Sequence, residues 1–321
     1  MISFAYKSIV FIIGFLIITF LLETTINFAI KKIKVGEYGV LNKINSGLIN
    51  SDILILGSSR ALKAINPEII EKHTGLSCYN IAADGADLGV QLPKLKWYLN
   101  KNKKPKILIQ DIAQFGDVIS NRIYEPFKYL PYLNDDSLYY GLLRVDSDFW
   151  LHKYFFPSNL IYYNFDFYSK LFQELYFTLK DKDIYVNGFL PDNSKWSANF
   201  ELLIKENPDG FSAFISEEYA SYLNELKQVC KKNNIILLLT VLPVYQKIQD
   251  VTKNKEAAIN FYLGMEETPK VYYLDFLDSD FTVDENNFYN FTHVNLNGAN
   301  KFSELLSNKI KTILNQTADL N

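Results

Sequence analysis

Ser59 closes an unbroken apolar run in Ile55-Leu56-Gly57-Ser58-Ser59-Arg60, and His293 stands far downstream in Thr292-His293-Val294-Asn295. A serine hydroxyl is a poor nucleophile until a neighbouring base accepts its proton. The chain has three histidines, so the choice of base is narrow. His73 precedes Thr74-Gly75 and suits a helix C-terminus, where a cation complements the dipole. His152 lies in a stretch crowded with aromatic residues. Ser59 and His293 are therefore read as nucleophile and base of an acyl-transfer site. A Gly-Ser-Ser turn by itself more often caps a helix, so the pairing carries the reading rather than either residue alone.

Such a pair needs elements that bring its members to one place. Five short, largely apolar runs are spaced along the chain: Ile53–Leu56, Leu76–Ala82, Ile107–Ile109, Ile235–Leu242 and Val271–Leu274. Continuous rather than alternating hydrophobicity predicts strands buried on both faces. Between them, Asn66-Pro67-Glu68 reads as a helix start and Gly75 as its stop. Tyr219, Leu223, Leu226 and Cys230 fall on one helical stripe, as do Ala299, Phe302, Leu306, Ile310 and Ile313. Strands alternating with helices predict an α/β fold. We expect a three-layer α/β/α sandwich with a flavodoxin-like parallel sheet of about five strands.

Ligands of open parallel sheets gather beyond the carboxyl ends of the strands. Those ends carry Ser58, Ser59 and Arg60, then Asn80, Asp84 and Gly85, then Asp111 and Gln114, and finally His293. The amides of Ser59, at a helix start, and of Gly85 are candidates to stabilise a tetrahedral oxyanion. Arg60 is placed equally well to hold an anionic substrate group or to anchor the first helix. Asn80 and Asp111 join it as candidate substrate-binding residues. Pro243 and Tyr245 follow the fourth run and edge the same rim.

The chain has 321 residues, 48% of them hydrophobic and 21% charged, with a formal net charge of −3. This describes a globular core and supplies no electrostatic reason to expect nucleic acid. No histidine has a second ligand at helical or turn spacing, so neither a metal nor another cofactor is expected. Cys78 and Cys230 fit no metal or redox spacing and read as buried free thiols.

Ser8 to Leu22 is uncharged and almost wholly apolar. Extended past Lys7 or Glu23 it reaches the roughly 20 residues that a membrane span needs. Residues 1–34 are therefore expected to form an uncleaved single-pass anchor. Residues 35–51, polar and glycine-dotted, read as a stem, 52–315 as the catalytic domain and 316–321 as a tail. Residues 116 to about 216 interrupt the strand–helix alternation with Tyr124, Phe127, Tyr129, Tyr132, Phe149, Trp150, Tyr154, Tyr162, Tyr163 and Trp196. That length predicts an insertion with its own packing. Its rings either form the insertion's own core or cap a sugar or lipid-linked substrate. Lys7 precedes the span, and Lys31, Lys32 and Lys34 follow it. The positive-inside rule would leave the body of the protein in the cytoplasm.

Three blocks of the chain resemble the SGNH (GDSL-like) hydrolase superfamily. Within it, the chain is similar to membrane-anchored proteins related to polysaccharide O-acetylation proteins and to the D-alanine transfer protein of teichoic acids. Gly57-Ser58-Ser59-Arg60 matches the first block, with Ser58 where many members carry aspartate. Asn80-Ile81-Ala82-Ala83-Asp84-Gly85 matches the second, whose glycine amide serves the oxyanion hole. Asn290-Phe291-Thr292-His293 matches the Asp-x-x-His of the last, with Asn290 in place of the aspartate. The third block, Gly-x-Asn-Asp in the family, is replaced by Ile109 to Gln114, so Gln114 is the candidate for the missing side-chain donor. Asn290 can orient the imidazole but cannot offset its charge, and Asp284 and Asp278 are candidates to supply that charge.

The resemblance implies acyl transfer, with acetyl as the favoured group, to or from a cell-surface polysaccharide. Ser59, His293 and Asn290 would be catalytic, and Ser59, Gly85 and Gln114 would form the oxyanion hole. It further implies an extracytoplasmic domain, against the lysine count, and a membrane protein delivering the acyl donor as a partner. A carbohydrate esterase and an inactive binding or assembly subunit of polysaccharide export remain as alternatives.

Overall fold

The computed structural model describes residues 2–113, 119–277 and 280–318. The chain opens with α1 (Ile2–Lys32) and α2 (Gly36–Asn45), followed by β1 (Ile53–Leu56), α3 (Ser59–Ala64), α4 (Pro67–Thr74), β2 (Cys78–Asn80), α5 (Leu88–Lys101) and β3 (Ile107–Ile112). Helices α6 (Asp136–Val145), α7 (Trp150–Tyr154), α8 (Phe165–Leu179) and α9 (Phe200–Glu206) and the two-residue strand β4 (Phe211–Ser212) come next. The chain then returns through α10 (Glu217–Lys232) to β5 (Ile236–Val241). It closes with α11 (Gln246–Asp250), β6 (Thr252–Lys253), α12 (Lys255–Leu263), β7 (Val271–Asp275), α13 (Asp280–Val283) and α14 (Leu296–Ala318).

The five apolar runs become one parallel sheet in the order β2-β1-β3-β5-β7. Successive strand residues point to opposite faces, and the core divides accordingly. Leu54, Leu56, Leu108, Leu237 and Leu239 join one buried cluster, while Ile53, Ile55, Ile107, Ile109 and Leu238 join another. Leu92, Leu95, Tyr219 and Leu226 of α5 and α10 cover the first face. Leu62, Ile70, Phe302 and Leu306 of α3, α4 and α14 cover the second. The helix signals read from sequence recur locally: the Asn66 side chain accepts from Glu68 N, and Gly75 ends α4 in the left-handed region. Cys78 and Cys230 are buried free thiols.

Residues 35–51, expected to be a stem, are mostly helix α2, and Tyr38, Leu41 and Ile44 belong to the first core cluster. Charge pairing makes this burial possible. Glu37 is held by Lys128 at 2.9 Å and Lys170 at 2.6 Å, so an acidic residue that looks solvated in sequence is enclosed.

Helix α1 is long and apolar enough to cross a membrane. From Phe4 to Leu22 its large apolar side chains are exposed. Its last turns are covered on one side: Thr19, Glu23, Ile26 and Ile30 lie on one face and are buried, as is Ile33 just beyond the helix. That face packs on α8 and on the three-ten turn Phe156–Tyr162. The aromatic residues of the insertion divide in two. Phe127, Tyr129, Tyr132 and Phe149 are core, while Tyr124, Trp150 and Tyr154 are exposed.

Candidate active site

Ser59 is the first residue of α3, where the backbone leaves β1 through Gly57 and Ser58. The turn is tight. A side chain on Gly57 would lie 2.6 Å from the Cβ atoms of both Ala61 and Asp111. Ser58 caps α3 and donates its hydroxyl to Asp111 Oδ2 at 2.9 Å. Asp111 Oδ1 receives Arg60 Nη2 at 2.7 Å, and the same guanidinium donates to the Ile112 carbonyl at 3.0 Å. Asp111 is buried, and burial raises its carboxyl above the usual aspartate range even against Arg60. Both side chains thus clamp the Ser59 turn to the end of β3.

Ser59 Oγ lies 2.9 Å from His293 Nε2, across 234 positions of sequence. Both residues are half-buried, so the pair meets solvent. Asn290 Oδ1 accepts the backbone N–H groups of Thr292 at 3.0 Å and His293 at 2.9 Å, and faces His293 Nδ1 at 3.2 Å. Two amide donors on that atom identify it as oxygen rather than nitrogen. Nδ1 therefore carries the ring proton and Nε2 is bare, the tautomer that accepts a proton from Ser59. Thr292 Oγ1, 3.1 Å from Nδ1, lies beside the same bond.

Three residues that sequence reasoning missed surround this imidazole. The Tyr289 ring stacks on it at 5.5 Å. Lys63 Nζ donates to Tyr289 Oη at 3.0 Å and to Asp192 Oδ2 at 3.1 Å. Lys63 is one helical turn beyond Ser59, a spacing that could have revealed it; Asp192, from the insertion, carried no such signal. Burial, then the positive charges of Lys63 and Arg60, hold the His293 imidazole down to about 4, against the pull of Asp84 and Asp192.

The other expected site residues divide. The loop bearing Gly85 is tied to the Ser59 turn by Ala83 N donating to the Gly57 carbonyl at 3.1 Å. Gly85 has φ +63°, and a side chain there would strike the Tyr124 ring. Among the described residues, neither the Ser59 nor the Gly85 amide donates to another group. Asn80 is fully buried and donates to the carbonyls of Ala61 and Ile65, so it fixes α3 from beneath instead of facing a ligand. Asp284 accepts from the Asn286 N–H and lies 3.8 Å from Lys301, and among the described residues no hydrogen bond joins it to His293. Gln114 and Asp278 lie outside the described residues. Trp196 packs on Tyr245 and Phe291 beside the histidine loop, with ring centroids 4.7 and 5.3 Å away.

No protein-family model matches the chain, and no curated protein matches it.

Proposed function

We propose that the protein is a membrane-anchored serine acyltransferase of the SGNH-like kind, moving an acyl group, acetyl by preference, to or from a cell-surface polysaccharide. The observation that carries the reading is the 2.9 Å contact between Ser59 Oγ and His293 Nε2. Ser59 attacks the ester carbonyl while Nε2 takes its proton, and the negative oxygen is met by the Ser59 and Gly85 amides. The intermediate collapses as the imidazolium returns the proton to the departing alcohol, leaving acyl-Ser59. A second hydroxyl, deprotonated by His293, then attacks acyl-Ser59, and the imidazolium returns the proton to the Ser59 oxygen as the acyl bond to it breaks. Trp196 and Phe291, both half-exposed beside this loop, are suited to stack on a sugar face.

Numbered among themselves, the five strands run 2-1-3-4-5, the flavodoxin-like order. This order and the two core faces support a three-layer α/β/α sandwich. The bare α1 supports attachment at the cell membrane.

A fluorophosphonate probe should label the wild-type protein and not Ser59→Ala; equal labelling of both would end the enzymatic reading. Turnover of p-nitrophenyl acetate that rises with added glycan marks transfer, whereas turnover indifferent to glycan marks an esterase. The neutral Asn290 and the weakly basic His293 favour a second reading, an inactive binding or assembly subunit. Full function of Ser59→Ala in cells would establish it.

A further inference from the structure

We propose that exposed aromatic residues of the insertion form a collar seated in the bilayer interface around the exit of α1. The proposal rests on the reading of α1 as a membrane span. Phe4 to Leu22 of that helix is bare apart from Thr19 and the half-buried Leu16 on its covered side and, at about 1.5 Å per residue, roughly 28 Å long, close to a hydrocarbon core of about 30 Å. Cover begins at Thr19 and Glu23. The Glu23 carboxylate receives Asn159 Nδ2 at 3.0 Å, Asn27 Nδ2 at 3.1 Å and the Tyr163 hydroxyl. His152 Nδ1 meets Asn159 Oδ1 at 2.7 Å. The insertion therefore grips α1 at one level, and a carboxylate that lipid would penalise is enclosed there by polar partners.

Next to those gripping residues in sequence stand Trp150, Tyr154, Phe155 and Phe165, all exposed, Phe165 at 84%. Trp150, Tyr154 and Phe155 lie within a helical turn of His152, and Phe165 is two residues beyond Tyr163. Helix α8 then runs back along the covered end of α1, where Lys34 N donates to Thr178 Oγ1 at 3.0 Å. The collar is therefore at the Glu23 end of α8, nearest the bare span. Trp and Tyr favour the membrane–water boundary, where an apolar ring and a polar tip are both satisfied. These aromatics flank in sequence the residues that grip α1 at Glu23, the level where its bare part ends, so one occupant that covers the bare helix reaches them as well, and a lipid bilayer is such an occupant.

The test uses the full chain in phosphatidylcholine vesicles, with an environment-sensitive dye on single introduced cysteines. Cys78 and Cys230 are buried and should not compete for label. Dyes at Tyr154→Cys and Phe165→Cys should shift to the blue and be quenched by nitroxides held near the headgroups more than by nitroxides near the acyl ends. A dye at Ile13→Cys should show the reverse depth order, and one at Lys309→Cys, on α14, should show no quenching. Quenching at 13 with dyes at 154 and 165 as wet as that at 309 would overturn the collar and leave the anchor standing. No quenching at 13 would overturn the anchor and the collar with it. A blue shift at 154 and 165 that lipid nitroxides do not quench, and that fades on dilution into excess lipid, would assign the patch to a second copy of the chain and overturn the proposal.

Discussion

On the proposed reading His293 is the base, and an imidazole held down to about 4 stays unprotonated through the whole neutral range. The acid limb of kcat/KM should therefore fall near pH 4, not at the usual histidine value near 6.5; a limb near 6.5 would contradict the burial of His293 described above. The same low basicity makes His293 a weak proton acceptor, and Asn290 contributes geometry without charge. In Asn290→Asp the new carboxylate favours the imidazolium, so the limb should move to higher pH while kcat rises by roughly tenfold or more. Stopped-flow pH profiles of the two proteins check both statements. Much of this was legible beforehand, because three histidines leave few pairings and the Ser59 turn follows an apolar run. The role of Asp111 was not legible. A carboxylate at a strand end reads as a ligand-facing group until its Arg60 and Ser58 partners are seen to enclose it.

At the level of elements, the five strands could be read because each is a short, largely apolar run flanked by turn or helix signals. Helix α2 could not, since its burial depends on Lys128 and Lys170, which lie far away in sequence and cancel Glu37 only once folded. Their attraction outweighs desolvation and holds the Glu37 carboxyl well below its usual range, while burial lifts the neighbouring Glu174 to about 8. Lys128 also donates to the Asp84 carbonyl at 3.1 Å, beside Gly85, so this ion cluster reaches the candidate oxyanion loop. Without Lys128, Glu37 keeps Lys170 at 2.6 Å, so only part of the cost of an uncompensated buried charge applies. Lys128→Met should lower unfolding free energy by about 1–3 kcal/mol in denaturant titration, whereas loss of only a few tenths would place the cluster among surface pairs.

For the molecule as a whole, the topology is the part that residue counting handles least well. Lys31 and Lys32 lie on the exposed side of a helix that continues into the domain, so their charge need not mark a cytoplasmic loop. A C-terminal alkaline phosphatase fusion should be active in cells; an inactive one, with an active cytoplasmic reporter at the same point, would reverse the placement. Apolarity alone marks α1 as long and apolar enough to cross a membrane. Its coupling to the insertion escaped notice, because Glu23, Asn159 and Tyr163 carry no mutual signal in sequence.

That coupling has a mechanical outcome. Ile26 and Ile30 of α1, and Ile33 just beyond it, belong to the same buried cluster as the sheet, so on the proposed reading no slack leash would join anchor to catalyst. An enzyme on a loose tether sweeps a hemisphere, and its local concentration is set by linker length. Here Ser59 would work at one altitude above the lipid, like a tool on a fixed mast, and a polymer would have to be drawn past it at that height.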